Sequence, residues 1–292
     1  MRILLAIDGS DQSYLAARAI HLLASVEQVV VLYVLDVPTP GYPMIMPEVA
    51  RDLQATVERT MREDGQRLLD RAVSLLPNRA SASTQLVAGT PAEVIPATAE
   101  RERIDLIVMG ARGVGLVREA MLGSVAHRVI THATCATLAV TAPLPSVQRV
   151  LLALESDEDA DAAIHFLSQR PFGQAPSVEV LTVFPFTHTI WPMGMVETQS
   201  LMETIVDSAR SFVKSVAARL SQIGYQSSGV TLAGVPAAAI LRRAEEAAAD
   251  LILVGSHGRK GLSRLFLGSV SHGVLHQTRF PVLVFRLPKA CR

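Results

Sequence analysis

Two glycine-rich stretches hold the residues whose types and spacing point to chemistry. GARGVGLVREAMLGS (110–124) and GSHGRKGLSRLFLGS (255–269) share one pattern, G-x2-G-x9-G-S. It comprises Gly110, Gly113, Gly123 and Ser124 in the first copy, and Gly255, Gly258, Gly268 and Ser269 in the second. Each stretch follows a short apolar run that reads as a buried strand, IDLIVM (104–109) or ADLILV (249–254). Glycines just past a strand let the backbone approach a ligand closely and adopt a positive φ. Gly123-Ser124 precedes an expected helix, 125–132. Its unpaired N–H groups and the positive end of its dipole favour an anion. Ser124 either caps that helix or gives its hydroxyl to a phosphate. Arg112 or Arg118, and Arg259, Lys260 or Arg264 in the second copy, add charge. Asp8 ends the first apolar run, in Ile7-Asp8-Gly9-Ser10. There it can accept hydrogen bonds from ribose hydroxyls or an adenine amine.

The familiar phosphate templates fail. A Walker A loop needs Lys-Ser/Thr after its last glycine, but Gly115 is followed by Leu116-Val117. A dinucleotide fingerprint needs a glycine where this chain has Arg118. Plainer readings stand beside the phosphate one. Glycines serve strand-to-helix turns, and Asp8 suits a turn or a helix cap. His272 and His276 are spaced i,i+4, but no third metal ligand has convincing spacing, so a solvated helix face is expected. His127 and His132 have less support still. Met44, Met46, Met193 and Met195 read as adaptable loop packing, and Cys135 as inert core.

What must position these residues is a tandem repeat. RILLAID (2–8) is echoed by RVLLALE (149–155), and LVAGTPAEVI (86–95) by LAGVPAAAIL (232–241). MLGSVAHRVITHATCATLAV (121–140) is echoed by FLGSVSHGVLHQTRFPVLVF (266–285). The period, about 145–149 residues, is that of a whole domain rather than a solenoid unit. Two domains are therefore expected, 1–143 and 147–288, joined near TAPLPSVQ (141–148), whose prolines suit a short stiff linker. Strands are expected at 3–7, 29–34, near 86–88, 104–109 and 135–140, with helices at 13–23 and 48–75, one begun by Pro91, and one at 125–132. The second half repeats this rhythm, with strands at 150–154, 178–183, 230–233 and 280–285, helices at 159–168 and 197–223, and one begun by Pro236. Alternating strands and helices predict a parallel sheet covered on both faces, an α/β fold in which ligands sit beyond the carboxyl ends of the strands.

Composition narrows the class. The chain has 292 residues, 27 basic and 27 acidic. A wholesale nucleic-acid binder would carry a basic excess. Two cysteines without CxxC spacing argue for a reducing compartment. No apolar run reaches the roughly 18 residues of a membrane span. The opening run is too short for a signal peptide, and a cytoplasmic protein is expected.

Taken together, AIDGSDQS (6–13), AGTPAEVI (88–95), DLIVMGARG (105–113), LGSVAHRVI (122–130) and their counterparts to FPVLVF (280–285) resemble the universal stress protein family over essentially the whole chain. The G-x2-G-x9-G-S spacing is similar to that of its ATP-binding branch. The resemblance implies two tandem doubly wound, Rossmann-like domains of the adenine nucleotide alpha hydrolase kind, each a five-stranded parallel sheet of order 3-2-1-4-5. It implies ATP, with or without Mg2+, as the ligand. In the first domain Asp8, Gly9, Ser10 and the backbone near Val34 would hold adenine and ribose. Met109, Gly110, Arg112, Gly113 and Gly115 would approach ribose and phosphates, and Gly123, Ser124 and Val125 would bind the outer phosphates. The second-domain counterparts are Glu155, Val183, Gly255, Gly258, Arg259, Gly268, Ser269 and Val270. Glu155 replaces Asp8, and Gly9-Ser10 reads as Ser156-Asp157, so the two sites are expected to differ. The resemblance also implies pairing of the two fifth strands within the chain, and a homodimer of tandem chains. The role expected is regulatory, in a stress response. Its alternatives are a slow ATPase or nucleotidyl-transfer enzyme, for which no base–nucleophile pair or Mg2+ carboxylate set stands out, and a ligand-free interaction module.

Overall fold

Strands with no polar alternation must be covered on both faces, and that demand organises the molecule. The computed structural model describes residues 1–37, 47–77, 81–113, 122–184, 198–256 and 267–286. The chain divides into two compact units, Met1–Pro143 and Leu144–Arg292.

The first unit runs β1 (Arg2–Ile7), α1 (Asp11–Ala19), β2 (Gln28–Leu35), α2 (Pro47–Ser74), β3 (Ala82–Ala88), α3 (Pro91–Arg101), β4 (Leu106–Gly110), α4 (Ser124–His132) and β5 (Ala136–Val140). All neighbours pair in parallel, in the order β3-β2-β1-β4-β5. The chain winds outward through β1, β2 and β3, then crosses to the other side for β4 and β5. The order therefore switches between β1 and β4. Ile3, Leu4, Leu5, Leu106, Ile107 and Val108 in these two strands are fully buried. At about 1.5–3 kcal/mol for each large side chain taken from water, they anchor the sheet's centre.

The second unit repeats the plan with β6 (Arg149–Ala153), α5 (Asp157–Ser168), β7 (Ser177–Phe184), α6 (Thr198–Gln222), β8 (Ser227–Ala233), α7 (Pro236–Glu246), β9 (Leu251–Gly255), α8 (Ser269–Gln277) and β10 (Val282–Phe285). Its order is β8-β7-β6-β9-β10, again all parallel. Each unit is thus the doubly wound 3-2-1-4-5 sheet that the family resemblance implies.

Local differences have local causes. Helix α1 ends at Ala19, not at residue 23, because the chain tightens into a 3-10 turn over Ile20–Leu22. Strand β3 starts at Ala82, earlier than its apolar end suggests. Among the described residues it pairs only with β2, and it is half-exposed, so Ser83, Thr84 and Gln85 are tolerated there. Pro91 and Pro236 do open their helices, where a missing N–H costs nothing.

Candidate functional site

The switch between β1 and β4 opens a cavity of about 1090 Å³ in the first unit. It lies at the carboxyl ends of β1, β2 and β4, between the starts of α1 and α4. Met61 of α2 and Ile95 of α3 add apolar wall.

At its β1 end, Asp8 is fixed by the turn that follows. Its Oδ1 accepts hydrogen bonds from the Ser10 N–H at 3.0 Å and the Ser10 hydroxyl at 2.6 Å. Ser10, not Asp8, is the N-cap of α1; its Oγ accepts the Ser13 N–H at 3.2 Å. The intervening Gly9 has φ +82°, which only glycine adopts without strain. The Asp8 carboxylate reaches across to Gly113: a Cβ there would overlap its Oδ2. Gly113 is therefore bare so that a carboxylate can approach it. Neighbouring Tyr33 lines the same space, and its hydroxyl titrates above the usual range, chiefly through burial and then through the charges of Asp8 and Asp64.

At the β4 end, Gln12 of α1 clamps the loop. Its Oε1 accepts the Arg112 N–H at 2.7 Å, and its Nε2 donates to the Thr141 carbonyl at 3.2 Å. One side chain thus ties the glycine loop to the chain just after β5. Gly110 serves this packing. A Cβ at Gly110 would lie 2.9 Å from the Gln12 carbonyl carbon and 3.0 Å from the Ser13 nitrogen. The sequence reading gives Gly110 to a ligand; in the structure α1 fills its empty side. Nor do Gly110, Gly113 and Gly123 have positive φ, a feature that Gly9 supplies instead. Among the described residues the Arg112 Nε, buried at the cavity wall, has no hydrogen-bond partner. A buried guanidinium nitrogen in that state is costly alone and suits an anionic oxygen.

Helix α4 begins at Ser124, with Gly123 as its N-cap at φ −73° and ψ 154°. Ser124 thus sits at the first helical position, and the expectation that its side chain caps the helix fails. Glycine has no side chain to cap with, so helical geometry leaves the Ser124, Val125 and Ala126 N–H groups without intrahelical acceptors. Gly123, Ser124, Val125 and Ala126 all face the cavity. Gly123 itself is held by its N–H to the Ala111 carbonyl, 2.8 Å.

The cavity is therefore polar in two senses. Carboxylates Asp8, Asp11 and Asp36 line its β1–β2 end, and Arg112 and the α4 N-terminus its β4 end. Of the first-domain residues picked from sequence, Asp8, Gly9, Ser10, Val34, Met109, Gly110, Arg112, Gly113, Gly123, Ser124 and Val125 all line it. Gln12, Tyr33, Asp36, Met61 and Ile95 also line it without having been picked. Gln12 carried a weak signal, since it sits one turn after Asp8 on the helix that must start there.

In the second unit the same elements meet with different chemistry. Gly268 caps α8, its N–H donating to the Ser256 carbonyl at 2.9 Å, and Ser269 is again the first helical residue. Val183 occupies the place of Val34 on its strand, and Val270 follows Ser269 at the start of α8. The turn after β6 corrects the sequence pairing. Ser156 caps α5 and its Oγ accepts from the Asp159 N–H at 3.2 Å, the bond Ser10 makes with Ser13. So Ser156 matches Ser10, Asp159 matches Ser13, and Gly9 has no counterpart. By register Leu154 matches Ile7, so Glu155 alone stands between that position and the cap where the first unit has Asp8 and Gly9, and the turn is one residue shorter. Gly115, Arg118, Gly258, Arg259, Lys260 and Arg264 lie outside the described residues, as do Met44, Met46, Met193 and Met195. His272 and His276 stack their rings with centroids 4.2 Å apart.

A doubly wound sheet with a cavity at its switch point defines a class of small-ligand-binding α/β domains. Comparison with known proteins narrows it. The universal stress protein family matches residues 1–141 and again 146–286. A universal stress protein of Mycobacterium tuberculosis is 28% identical over 302 residues, spanning 97% of this chain and 96% of its own. One from Methanocaldococcus jannaschii is 34% identical over 146 residues, 49% of this chain and 82% of its own. Among solved structures, a universal stress protein of Archaeoglobus fulgidus shares the fold with a TM-score of 0.63 at 20% identity, covering 99% of this chain and 97% of its own. The chain belongs to the universal stress protein family, as a tandem of two family domains with a role in the stress response.

Proposed function

We propose that the first domain binds ATP, and that the protein is a nucleotide-responsive regulator in the stress response. The observation that carries this reading is the polarity of the cavity. One end offers a fixed carboxylate, Asp8, to hydroxyl or amine donors. The other offers the uncapped N-terminus of α4 and the unpartnered Arg112 Nε to an anion. A nucleoside phosphate has that same division, donors on its sugar and negative charge on its phosphates.

Adenine is favoured at strand β2. The β1–β2 pairing ends at Ile7–Tyr33, while β2 continues along β3 to Leu35. The Leu35 carbonyl accepts from the Gly89 N–H on the β3 side, 2.9 Å. Successive carbonyls of a strand alternate sides, so that of Val34 turns toward the β1 side, where Val34 lines the cavity. A carbonyl acceptor suits the amine of adenine and repels the keto oxygen of guanine. When bound, ATP would be held by the Asp8 carboxylate at the ribose, by the Val34 carbonyl at the base, and by Arg112, Ser124 and Val125 at the phosphates.

The test is a mass-spectrometric census of small molecules released from purified, heat-denatured protein, before and after incubation with ATP and GTP. Adenine nucleotide in stoichiometric amount, with GTP not retained, is expected. Absence of nucleotide even after ATP is supplied refutes the reading and leaves an interaction module without a ligand.

A further inference from the structure

The switch point of the second unit, the place of a second crevice, keeps a helix start capped only by glycine but replaces the residues around it. In the first unit Ser13 lines the cavity, and its hydroxyl donates to the Ser10 carbonyl at 2.8 Å. Its counterpart, Asp159, is a carboxylate only 9% exposed. That carboxylate lies against the end of β9: a Cβ at Gly255 would overlap its Oδ1 and stand 2.7 Å from its Cγ. The charge is therefore built into the packing of α5 on β9, at the base of the segment that leads to the phosphate end. Burial pushes the Asp159 carboxyl up to about 6, against lowering by its hydrogen bonds with Ser156 and the Glu155 backbone, so at pH 7.5 it is still ionised. Glu155 and Glu158 bring like charge to the same turn.

The clamp is lost as well. The position of Gln12 is taken by Glu158, which is exposed. A carboxylate accepts hydrogen bonds but donates none, so it cannot make both of the bonds Gln12 makes. Gly9, whose positive φ shapes the turn at Asp8, has no equivalent. Each change works against a polyphosphate, and the buried charge works most strongly. A carboxylate shielded from water repels a nearby anion far more than an exposed one.

We propose that Asp159 bars nucleotide from the second crevice, so that each chain carries one nucleotide and not two. This rests on the nucleotide reading of the first crevice. Asp159 acts as a determinant of which domain is loaded, dividing the tandem into a liganded and an unliganded half.

Equilibrium dialysis with radiolabelled ATP at pH 7.5 counts nucleotide per chain, with circular dichroism checking that each variant folds. Wild type and Asp159→Glu are expected to bind one equivalent, and Asp159→Asn and Asp159→Ser two. The second equivalent should bind at least 10-fold more tightly than anything detected at the second crevice of the wild type, and adding Gly268→Trp should remove it. Two equivalents in the wild type overturn the proposal, as does a single equivalent in both folded neutral variants. No binding in any of the proteins refutes the nucleotide reading itself, an outcome distinct from either of these.

Discussion

The buried carboxylate of Asp159 makes a prediction about stability that needs no ligand. Asp159→Asn removes the charge while keeping the shape. In the native protein the carboxyl titrates at about 6, against an ordinary value of 3.8, with burial as the leading cause. The folded state therefore binds the proton more tightly than the unfolded chain. Stability must then fall as pH rises from about 4 to about 6, and level off above. At 1.36 kcal/mol per tenfold step in proton affinity, the full loss is about 3 kcal/mol at pH 7.5 and about 0.6 kcal/mol at pH 4. Asn carries no such penalty. Urea unfolding of both proteins at the two pH values should show Asn gaining about 2 kcal/mol or more on the wild type between pH 4 and pH 7.5. A stability difference that does not change with pH would refute the claim that this carboxyl is buried and ionised at neutral pH.

Three further substitutions probe the first unit. Gly110→Ala should destabilise it by about 1–3 kcal/mol in thermal or urea unfolding, since the new Cβ meets the α1 main chain at 2.9–3.0 Å rather than a flexible side chain. Gln12→Ala removes both loop hydrogen bonds; unfolding should show a loss of about 1–2 kcal/mol, and ATP titration a loss of affinity, because the Arg112 loop is no longer held to Thr141. Arg112→Ala should leave the melting temperature nearly unchanged, since its Nε has no partner to lose, yet weaken ATP binding by about 10-fold or more in calorimetry.

Much of the fold was legible because it rests on patterns that survive drift. Continuous apolar strands such as 29–34, alternating with helices opened by Pro91 and Pro236, require a covered parallel sheet. The β3 edge was less legible, as a half-exposed strand accepts Ser83, Thr84 and Gln85 that read as loop. The candidate site divides in the same way. Glycines at fixed spacing and an aspartate at a strand's end mark themselves in a sequence. The reasons for those glycines do not. Gly110 is small because α1 passes over it, and Gly113 because Asp8 reaches it, and both follow from contacts between distant segments. Gln12 was missed because its role depends on Arg112 and Thr141, about 100 and 129 residues away. The one-residue deletion after β6 was hidden too. Ser156-Asp157 aligns comfortably with Gly9-Ser10 until the capping bonds show which serine caps which helix.

The central claim is that the uncapped N-terminus of α4 holds the phosphates of a nucleotide. A Cβ at Gly123 would lie 3.4 Å from the Ala111 carbonyl oxygen and the Arg112 Cα, so a large side chain there must displace the loop or fill the cavity. Isothermal titration of ATP into wild type and Gly123→Trp tests this most directly. Saturable binding by the wild type and at least a 100-fold loss in Gly123→Trp, with the fold retained, are expected. Undiminished ATP binding by Gly123→Trp would contradict the claim.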